Sequence, residues 1–252
     1  MDSQPISDRI VLEVCVESVD HAVSAERGGA HRIELCSDLS VGGITPSSGL
    51  MKIARKHVGI PIFVLIRPRP GNFFYSKIEL ETMAGDIQAA KQLGMDGIVL
   101  GLLNAKGEVE VAGTRRLTQL AHPLPVTFHH AFDVAPDLQR SLKAVIKAGA
   151  KRILTSGGKP RACDNISGLA KLVAAAGDRI SIMPGGGITA RNVTSISRQT
   201  LAREIHTSLG ESLESSNGRN RGAGSDDGID SPKSFEKRVK ELVEVLAAGG
   251  RE

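Results

Sequence analysis

The chain has 252 residues, of which 40% are hydrophobic and 24% charged, and its net charge is +4; these proportions are typical of a globular protein that buries a core without disulfides or metal ions as staples. Six Phe, one Tyr and no Trp leave few side chains on which bases stack, so we expect no nucleic-acid partner. There is no run of roughly 20 apolar residues and no signal-peptide pattern, so we expect no membrane partner. Three Cys without a CxxC motif favour a reducing, cytoplasmic location.

One pattern recurs along the chain: a helical segment ends at a glycine, and a short apolar run follows at once. Glycine terminates helices because it adopts the left-handed conformation without a Cβ penalty. The pattern occurs at Gly29, Gly94 and Gly149, and a fourth copy has Leu201 in place of the glycine. An apolar run this close to the end of a helix predicts a strand that is reached through a tight loop.

Eight candidate strands follow one another, each with a helical pattern or room for one behind it: 10–16, 31–36, 62–67, 97–101, 125–130, 152–155, 179–183 and 203–207. Strict alternation of strand and helix predicts a parallel sheet. Eight such units in about 250 residues predict a single α/β domain over 1–252, a (β/α)8 TIM barrel. The alternative is an open doubly wound sheet, but neither a strand-linked GxGxxG unit nor a GxxxxGK[ST] motif is present.

Residues 207–230 interrupt this alternation. The stretch from Ser208 to Gly228 is dominated by Ser, Gly, Asn, Arg, Glu and Asp, and it lacks the apolar content that would order it by burial. In a barrel it would form the loop after strand eight, on the functional face. We therefore expect a low-complexity, mobile loop at 207–230.

Polar groups are predicted to gather inside the barrel at one end. Barrel sites lie at the C-terminal ends of the strands, and because side chains alternate along a strand, parity selects the inward set. Burying polar groups costs free energy unless they pair or serve a function. The inward groups that we take as candidate catalytic residues are Glu13, Glu34, Arg67, His129 and His206.

Each of these groups also has a purely structural interpretation. A buried cysteine is usually a small hydrophobic residue, and Glu13 or Glu34 could form an ion pair with Arg67. His129 and His130 could be one satisfied core imidazole and one exposed imidazole. The combination of several such groups at strand ends favours a functional site.

A glycine-rich turn follows strand seven. Gly185, Gly186 and Gly187 would expose backbone N–H groups at a helix N-terminus, which suits an anion. The loops after strands seven and eight are also the usual phosphate site of a barrel. With help from Ser156 and Arg67, the turn is a candidate site for a small anionic ligand; the alternative is a tight turn that needs glycine for its positive φ.

One functional hypothesis from these residues is a barrel enzyme that acts on a small phosphorylated or otherwise anionic metabolite. Glu13 or Glu34 would act as the base, and His129 as an acid or base. Arg67 would hold the anion, with the phosphate on Gly185–Gly187. The barrel hosts many chemistries, so the fold does not decide between this hypothesis and others.

Several segments are specific enough to indicate a family: Leu12-Glu-Val-Cys-Val16, Arg32-Ile-Glu-Leu-Cys36, Gly42-Gly-Ile-Thr-Pro-Ser47, Ile66-Arg-Pro-Arg69, Val126-Thr-Phe-His129, Ala131-Phe-Asp133, Leu154-Thr-Ser-Gly157 and Met183-Pro-Gly-Gly-Gly-Ile-Thr189. Over about residues 10–208 they closely resemble the CutC copper-homeostasis family. The resemblance implies a cytosolic TIM barrel that forms homo-oligomers and is associated with copper tolerance and Cu(I) binding, with no enzymatic activity firmly assigned. Two cysteines are implicated in copper in its eukaryotic members, and their motifs match Cys15 and Cys36.

Two segments depart from the family pattern. His130 stands where the family commonly has Arg in a His-Arg-Ala-Phe-Asp motif. After strand eight only Glu204-Ile-His-Thr-Ser208 is kept, and the family's Met- and Arg-containing loop is not matched. If that loop helps to bind a ligand or an oligomer partner, both are affected in this chain.

Our leading hypothesis is a Cu(I)-binding protein whose metal ligands are Cys15 and Cys36, because thiols are soft ligands that select Cu(I) over hard cations. Both cysteines point inward by parity from the ends of consecutive strands, which lie about 4.8 Å apart. Two thiols at similar height could therefore hold one ion between them. Glu13 and Glu34 would lie one layer deeper, so thiolates there need a cation, which Cu(I) or Arg67 could supply.

Overall fold

The computed structural model describes residues 10–209 and 231–249, in which eight strands alternate with eight α-helices. The strands are β1 (Val11–Val16), β2 (Arg32–Leu35), β3 (Ile62–Leu65), β4 (Gly97–Leu100), β5 (Val126–Phe128), β6 (Arg152–Thr155), β7 (Ser181–Pro184) and β8 (Glu204–Thr207). The helices are α1 (Val19–Arg27), α2 (Ser48–His57), α3 (Lys77–Gln92), α4 (Val111–Ala121), α5 (Leu138–Ala148), α6 (Ile166–Ala176), α7 (Val193–Thr200) and α8 (Pro232–Gly249).

The strands form a parallel sheet that curls into a nearly closed barrel, so the predicted (β/α)8 fold is confirmed. Their order is β7-β6-β5-β4-β3-β2-β1-β8, and every pair in this series is parallel. The two edge strands, β7 and β8, lie against each other, and the Thr207 hydroxyl at the end of β8 donates to the carbonyl of Ile188, in the turn after β7, at 2.9 Å. Each strand ends within two residues of its predicted bounds.

Left-handed residues end the helices where the sequence predicted glycine stops. Gly29, Gly94 and Gly149 have φ of +93°, +73° and +91°. Leu201 adopts the same conformation after α7, with φ of +57°, although a side chain there costs about 1–2 kcal/mol. The helix therefore ends at this position without glycine, and the Leu201 side chain lies exposed to solvent.

Strand side chains divide between two layers, as the alternation predicted. Leu12, Val14, Ile33 and Leu35 are fully or almost fully buried in the large core that also includes the apolar faces of the helices. The opposite face of the same strands points into the barrel. A small cluster there consists of Cys15, Cys36, Phe63, Leu65 and Val99.

Gly97 in β4 gives the Phe63 ring its space inside the barrel. A Cβ at position 97 would lie 2.5 Å from three carbons of that ring. The ring cannot easily shift, because the guanidinium groups of Arg32 and Arg152 lie 4.8 and 5.3 Å from its centroid. We expect Gly97→Ala to lower the free energy of unfolding by about 1–3 kcal/mol, the usual cost of overpacking.

Urea unfolding measures this cost, and Gly85→Ala is the matched control. Gly85 lies in α3, and nothing lies within 4 Å of a Cβ built there. Alanine should stabilise that helix by about 0.5–1 kcal/mol. An equal effect of the two substitutions would contradict the packing argument at Gly97.

Two further predictions concern the loop after strand eight and the membrane. Most of the predicted mobile loop at 207–230 lies outside the described residues, which stop at 209 and resume at 231. Within the described ranges, no helix is long and apolar enough to cross a membrane.

Candidate functional site

The C-terminal ends of the strands open into a cavity of about 230 Å³. Most of the predicted site residues line it: Cys15, Glu34, Cys36, Arg67, His129, Gly186, Gly187 and His206. Residues from the adjoining loops and strands complete the lining: Leu39, Gly42, Leu65, Phe73, His130, Leu154 and Ser208. Glu13, Ser156 and Gly185, which the sequence also placed in the site, are not part of the lining.

The two thiols meet at this cavity. The sulfur atoms of Cys15 and Cys36 lie 3.5 Å apart, and both residues are buried. They are not level, however, because the register pairs Cys15 with Glu34. Cys36 therefore lies one inward position nearer the cavity mouth, and Glu34 lies beside Cys15. The expectation of two thiols at similar height needs this correction, although the sulfurs still face each other.

A carboxylate and an imidazole join the deeper thiol. Ligand atoms of Cys15, Glu34 and His206 all lie within 4.8 Å of one another, and all three residues are buried. The hydrogen bond to Cys36, burial and the nearby Glu34 raise the pKa of the Cys15 thiol well above its usual value. Cys15 is therefore a protonated thiol at neutral pH until a cation offsets the charge of its thiolate.

His206 connects two glutamates. Its Nδ1 lies 2.7 Å from a carboxylate oxygen of Glu13, and its Nε2 lies 3.5 Å from Glu34. Burial alone would lower the pKa of His206, but the bond to Glu13 and the charges of both glutamates outweigh it and raise that pKa. Burial raises the pKa of Glu34, with a further contribution from Glu13 and opposition from His206. The raised pKa favours the protonated, positively charged form of His206 beside the thiols.

Two arginines and two glutamates form the floor below the thiols. Arg32 forms a short ion pair with Glu13 and donates to Glu204 at 2.6 Å, and Arg152 donates to Glu204 at 2.5 Å. Burial opposes ionisation of Glu13, but Arg32 and His206 lower its pKa to about 2. All four charged side chains thus have partners, which makes their burial tolerable.

The contacts in the floor differ from the expected ion pair of Glu13 with Arg67, and they involve two arginines that were not among the candidate residues. Glu13 pairs with Arg32, not with Arg67. Arg32 points inward by the same parity as Glu34 and Cys36, so the signal was present in the sequence. Arg152 gave a weaker signal, because it follows Lys151 at the start of its strand, where a basic residue is usually solvated.

Arg67 holds the loops around the mouth. Its Nη1 donates to the carbonyl oxygens of Val41 and Gly43 at 2.9 and 2.7 Å, and its Nη2 donates to that of Gly71 at 3.0 Å. The guanidinium is buried, and its Nε has no hydrogen-bond partner. No carboxylate pairs with Arg67 within the ranges that the structure covers.

His129 presents a second donor without a partner. Its Nδ1 accepts a hydrogen bond from the backbone N–H of Ala131 at 3.1 Å, so Nε2 carries the ring proton. This buried Nε2 has no partner. Burial, followed by the charges of His130 and Arg67, lowers the pKa of His129 to about 3. At neutral pH the ring is therefore a neutral donor, which limits its use as an acid or base.

Ser156 has both of its donors occupied by the protein. Its hydroxyl donates to the carbonyl of Lys159, and its N–H donates to the Asp133 carboxylate at 3.0 Å. The same carboxylate accepts from the N–H of Gly158 at 2.8 Å and lies 2.6 Å from Nδ1 of His130. The anion-binding amides of this loop are thus filled by Asp133.

The glycine turn after β7 has the backbone that its structural interpretation requires. Gly186 and Gly187 have φ of +97° and +63°. The turn is not at the start of a helix, because α7 begins at Val193. Anion binding by Gly185–Gly187 stays a prediction.

Comparison with known proteins places the chain among its relatives. The sequence profile of the CutC family matches residues 10–211. The human copper homeostasis protein cutC homolog is 46% identical over 205 residues, which cover 81% of this chain and 75% of that protein. A family protein CutC from Chromobacterium violaceum is 43% identical over 198 residues, covering 79% of this chain and 80% of its own length.

Solved structures agree with these matches. A CutC protein from Streptococcus agalactiae superposes with a TM-score of 0.76 at 37% identity, covering 79% of this chain and 98% of that one. A structure named native KDPGal reaches a TM-score of 0.59 at only 14% identity, so it shows a shared barrel fold and nothing more. Because the family profile and the relatives cover most of the chain, this protein belongs to the CutC family.

Proposed function

We propose that this protein binds Cu(I) in the cytoplasm through Cys15 and Cys36 and takes part in copper homeostasis. The observation that carries the proposal is the pair of buried sulfur atoms 3.5 Å apart at the bottom of an open cavity. The human relative is named a copper homeostasis protein. Soft thiolate donors in a shielded site favour Cu(I) over hard cations.

The geometry suits one ion between the sulfurs. Thiolate sulfur lies about 2.3 Å from a bound metal ion such as zinc, so two sulfurs that share one ion lie at most about 4.6 Å apart. The observed 3.5 Å fits a bent bridge, and a small separation of the side chains would give a linear one. His206 and Glu34 offer ligand atoms within 4.8 Å of the Cys15 sulfur, although Cys36 is not part of that group.

Charge balance also supports a cation at this position. A Cys15 thiolate would lie next to Glu34, which disfavours a second negative charge there. Cu(I) offsets that charge, and His206 lies 3.5 Å from Glu34 to offset the carboxylate. The ligand set comes from β1, the end of β2 and β8 of one chain, so it is complete without a second copy. The expected homo-oligomer stays a prediction, which the molecular mass in solution tests.

Anaerobic titration with Cu(I) against a competing chelator tests the proposal. We expect one Cu(I) per chain, and we expect Cys15→Ser or Cys36→Ser to weaken binding at least about 100-fold, because each removes a soft donor. Cys163→Ser is the matched control, since Cys163 lies in the loop after β6, outside the cavity lining. Undiminished binding by the Cys15→Ser/Cys36→Ser double variant, with its fold intact by circular dichroism, would refute the assignment.

A second candidate function, a barrel enzyme for a small anionic substrate, is favoured by one observation. Arg67 and His129 both line the cavity, and each has a buried N–H without a partner. The first requirement of such an enzyme is that an anion binds there.

A further inference from the structure

One buried guanidinium near the cavity has no carboxylate partner among the described residues, whereas its charged neighbours are paired. Arg32 and Arg152 are paired with Glu13 and Glu204 at the floor. His206 lies between Glu13 and Glu34. Arg67, the remaining buried guanidinium near the cavity, donates to three carbonyl oxygens and lies near the rings of Phe73 and Tyr75, and no carboxylate among the described residues pairs with it. A buried cation without a counter-charge is costly, so an anion would be favoured near Arg67.

Two unpartnered donors mark where that anion would bind. Both N–H groups of Nη1 and one of Nη2 in Arg67 are bound to loop carbonyls, and Nε is its only nitrogen with no hydrogen-bond partner among the described residues. The Nε2–H of His129 is the second donor. A buried donor left without an acceptor is destabilising. The Phe73 ring contacts both side chains, 5.1 Å from the Arg67 guanidinium and 5.0 Å from the His129 ring, and all three residues line the same cavity. The two donors are therefore on the same side of the mouth.

We propose that the cavity mouth binds a small oxyanion, a carboxylate or a phosphate, through the Nε–H of Arg67 and the Nε2–H of His129. The site is distinct from the metal ligands and does not depend on the copper proposal. Its volume of about 230 Å³ is smaller than the pockets that hold drug-sized ligands, about 300–1,000 Å³. The ligand is therefore a compact molecule with at most a short carbon chain, which Leu39, Leu65 and Phe73 would contact.

The carboxylates nearby do not fill this role. Asp133 accepts hydrogen bonds from Ser156 and Gly158 and pairs with His130. Glu34 lies beside Cys15 and His206. Among the described residues no carboxylate is left to pair with Arg67, so we expect an anion from solution to bind there.

Calorimetry and thermal unfolding of the metal-free protein test the proposal, with oxalate and inorganic phosphate as the two probes and chloride at equal ionic strength as the reference. We expect saturable binding and a higher Tm with at least one probe. The probe that binds more tightly shows whether the site takes a carboxylate or a phosphate. The Cys15→Ser/Cys36→Ser variant should bind the probe equally well, so this test and the copper test fail independently.

Two substitutions remove one donor each. His129→Asn keeps an acceptor for the N–H of Ala131, because asparagine bonds the backbone two residues on, but it removes the Nε2–H. Arg67→Lys keeps the charge and loses the Nε–H and the planar fork. We expect each to weaken probe binding at least about tenfold. Arg152→Lys is the control, since Arg152 already has Glu204 as a partner and lies outside the cavity lining.

Two results would overturn the proposal. One is the absence of saturable binding for both probes. The other is binding that persists at full strength in both His129→Asn and Arg67→Lys, which would place the anion elsewhere on the surface. If a variant unfolds, the nitrogen NMR signal of the His129 Nε2 in the unmodified protein decides: it must shift with probe concentration if the anion binds there.

Discussion

Replacing Arg32 with methionine should lower the free energy of unfolding by about 3–5 kcal/mol, because removal of one partner from a buried ionic set leaves uncompensated charge behind. Arg32 contacts both Glu13 and Glu204. Methionine is of similar length and apolar, so the cost comes from the stranded carboxylates rather than from a large cavity. For a chain of this size the expected fall in Tm is about 10 °C.

Arg140→Met is the matched control. Arg140 pairs with Glu108 at 3.0 Å, but its side chain is 73% exposed, and exposed pairs contribute only about 0–1 kcal/mol. Urea unfolding of both variants at neutral pH measures the difference. Equal destabilisation by the two substitutions would mean that the floor of the barrel gains nothing from burial of its ion pairs.

The pH dependence of the Arg32→Met effect gives a second test. In the folded protein the pKa of Glu13 is about 2, below its unfolded value of 4.5, so ionised Glu13 stabilises the fold above pH 4.5 and this contribution is lost as the pH falls towards 2. Burial disfavours the ionised form of Glu13, and without Arg32 only His206 and more distant charges such as Arg152 offset this effect. Its carboxyl is then more easily protonated, so the gap between variant and wild type should narrow in acid. A constant gap from pH 7 to pH 3 would contradict this account.

The placement of the site on the inner face of the barrel could be predicted because it depends on backbone geometry alone. Side chains alternate with a period of two along a strand. Alternate apolar positions such as Leu12 and Val14 therefore fixed the inward direction of Glu13 and Cys15. The glycine stops fixed where the strands begin, which is why the strand bounds agree so closely.

The height of residues across strands could not be predicted in the same way. Closing a sheet into a barrel staggers the register between neighbouring strands, and this stagger is a property of the whole barrel. It places Glu34, not Cys36, beside Cys15. The contacts of Arg67 depend on loop carbonyls from Val41 and Gly43, whose positions no sequence pattern reports. The cavity is therefore lined by most of the predicted residues, but their arrangement differs from the predicted one.

Cu(I) affinity should rise with pH between pH 6 and pH 8, because the metal must displace a proton from Cys15. The hydrogen bond to Cys36, burial and Glu34 raise the pKa of this thiol well above 9.0, so it is protonated throughout this range. Binding as a thiolate releases that proton. Each proton released makes the affinity rise by about tenfold per pH unit, which amounts to about 100-fold over the two units from Cys15 alone.

Competition titrations at three pH values, corrected for the pH dependence of the chelator, measure the slope. Cys15→Ser should reduce the slope of log affinity against pH by about one, since its proton is no longer displaced. His206→Gln separates the remaining donors: the pKa of His206 is raised, so a copper ion that also binds this imidazole must displace a second proton, and the slope falls in this variant as well. A slope that His206→Gln leaves unchanged assigns the ion to the sulfur pair without the imidazole. An affinity independent of pH in the wild-type protein would exclude Cys15 as a ligand. Only the thiolate binds the metal, so binding by Cys15 must release its proton.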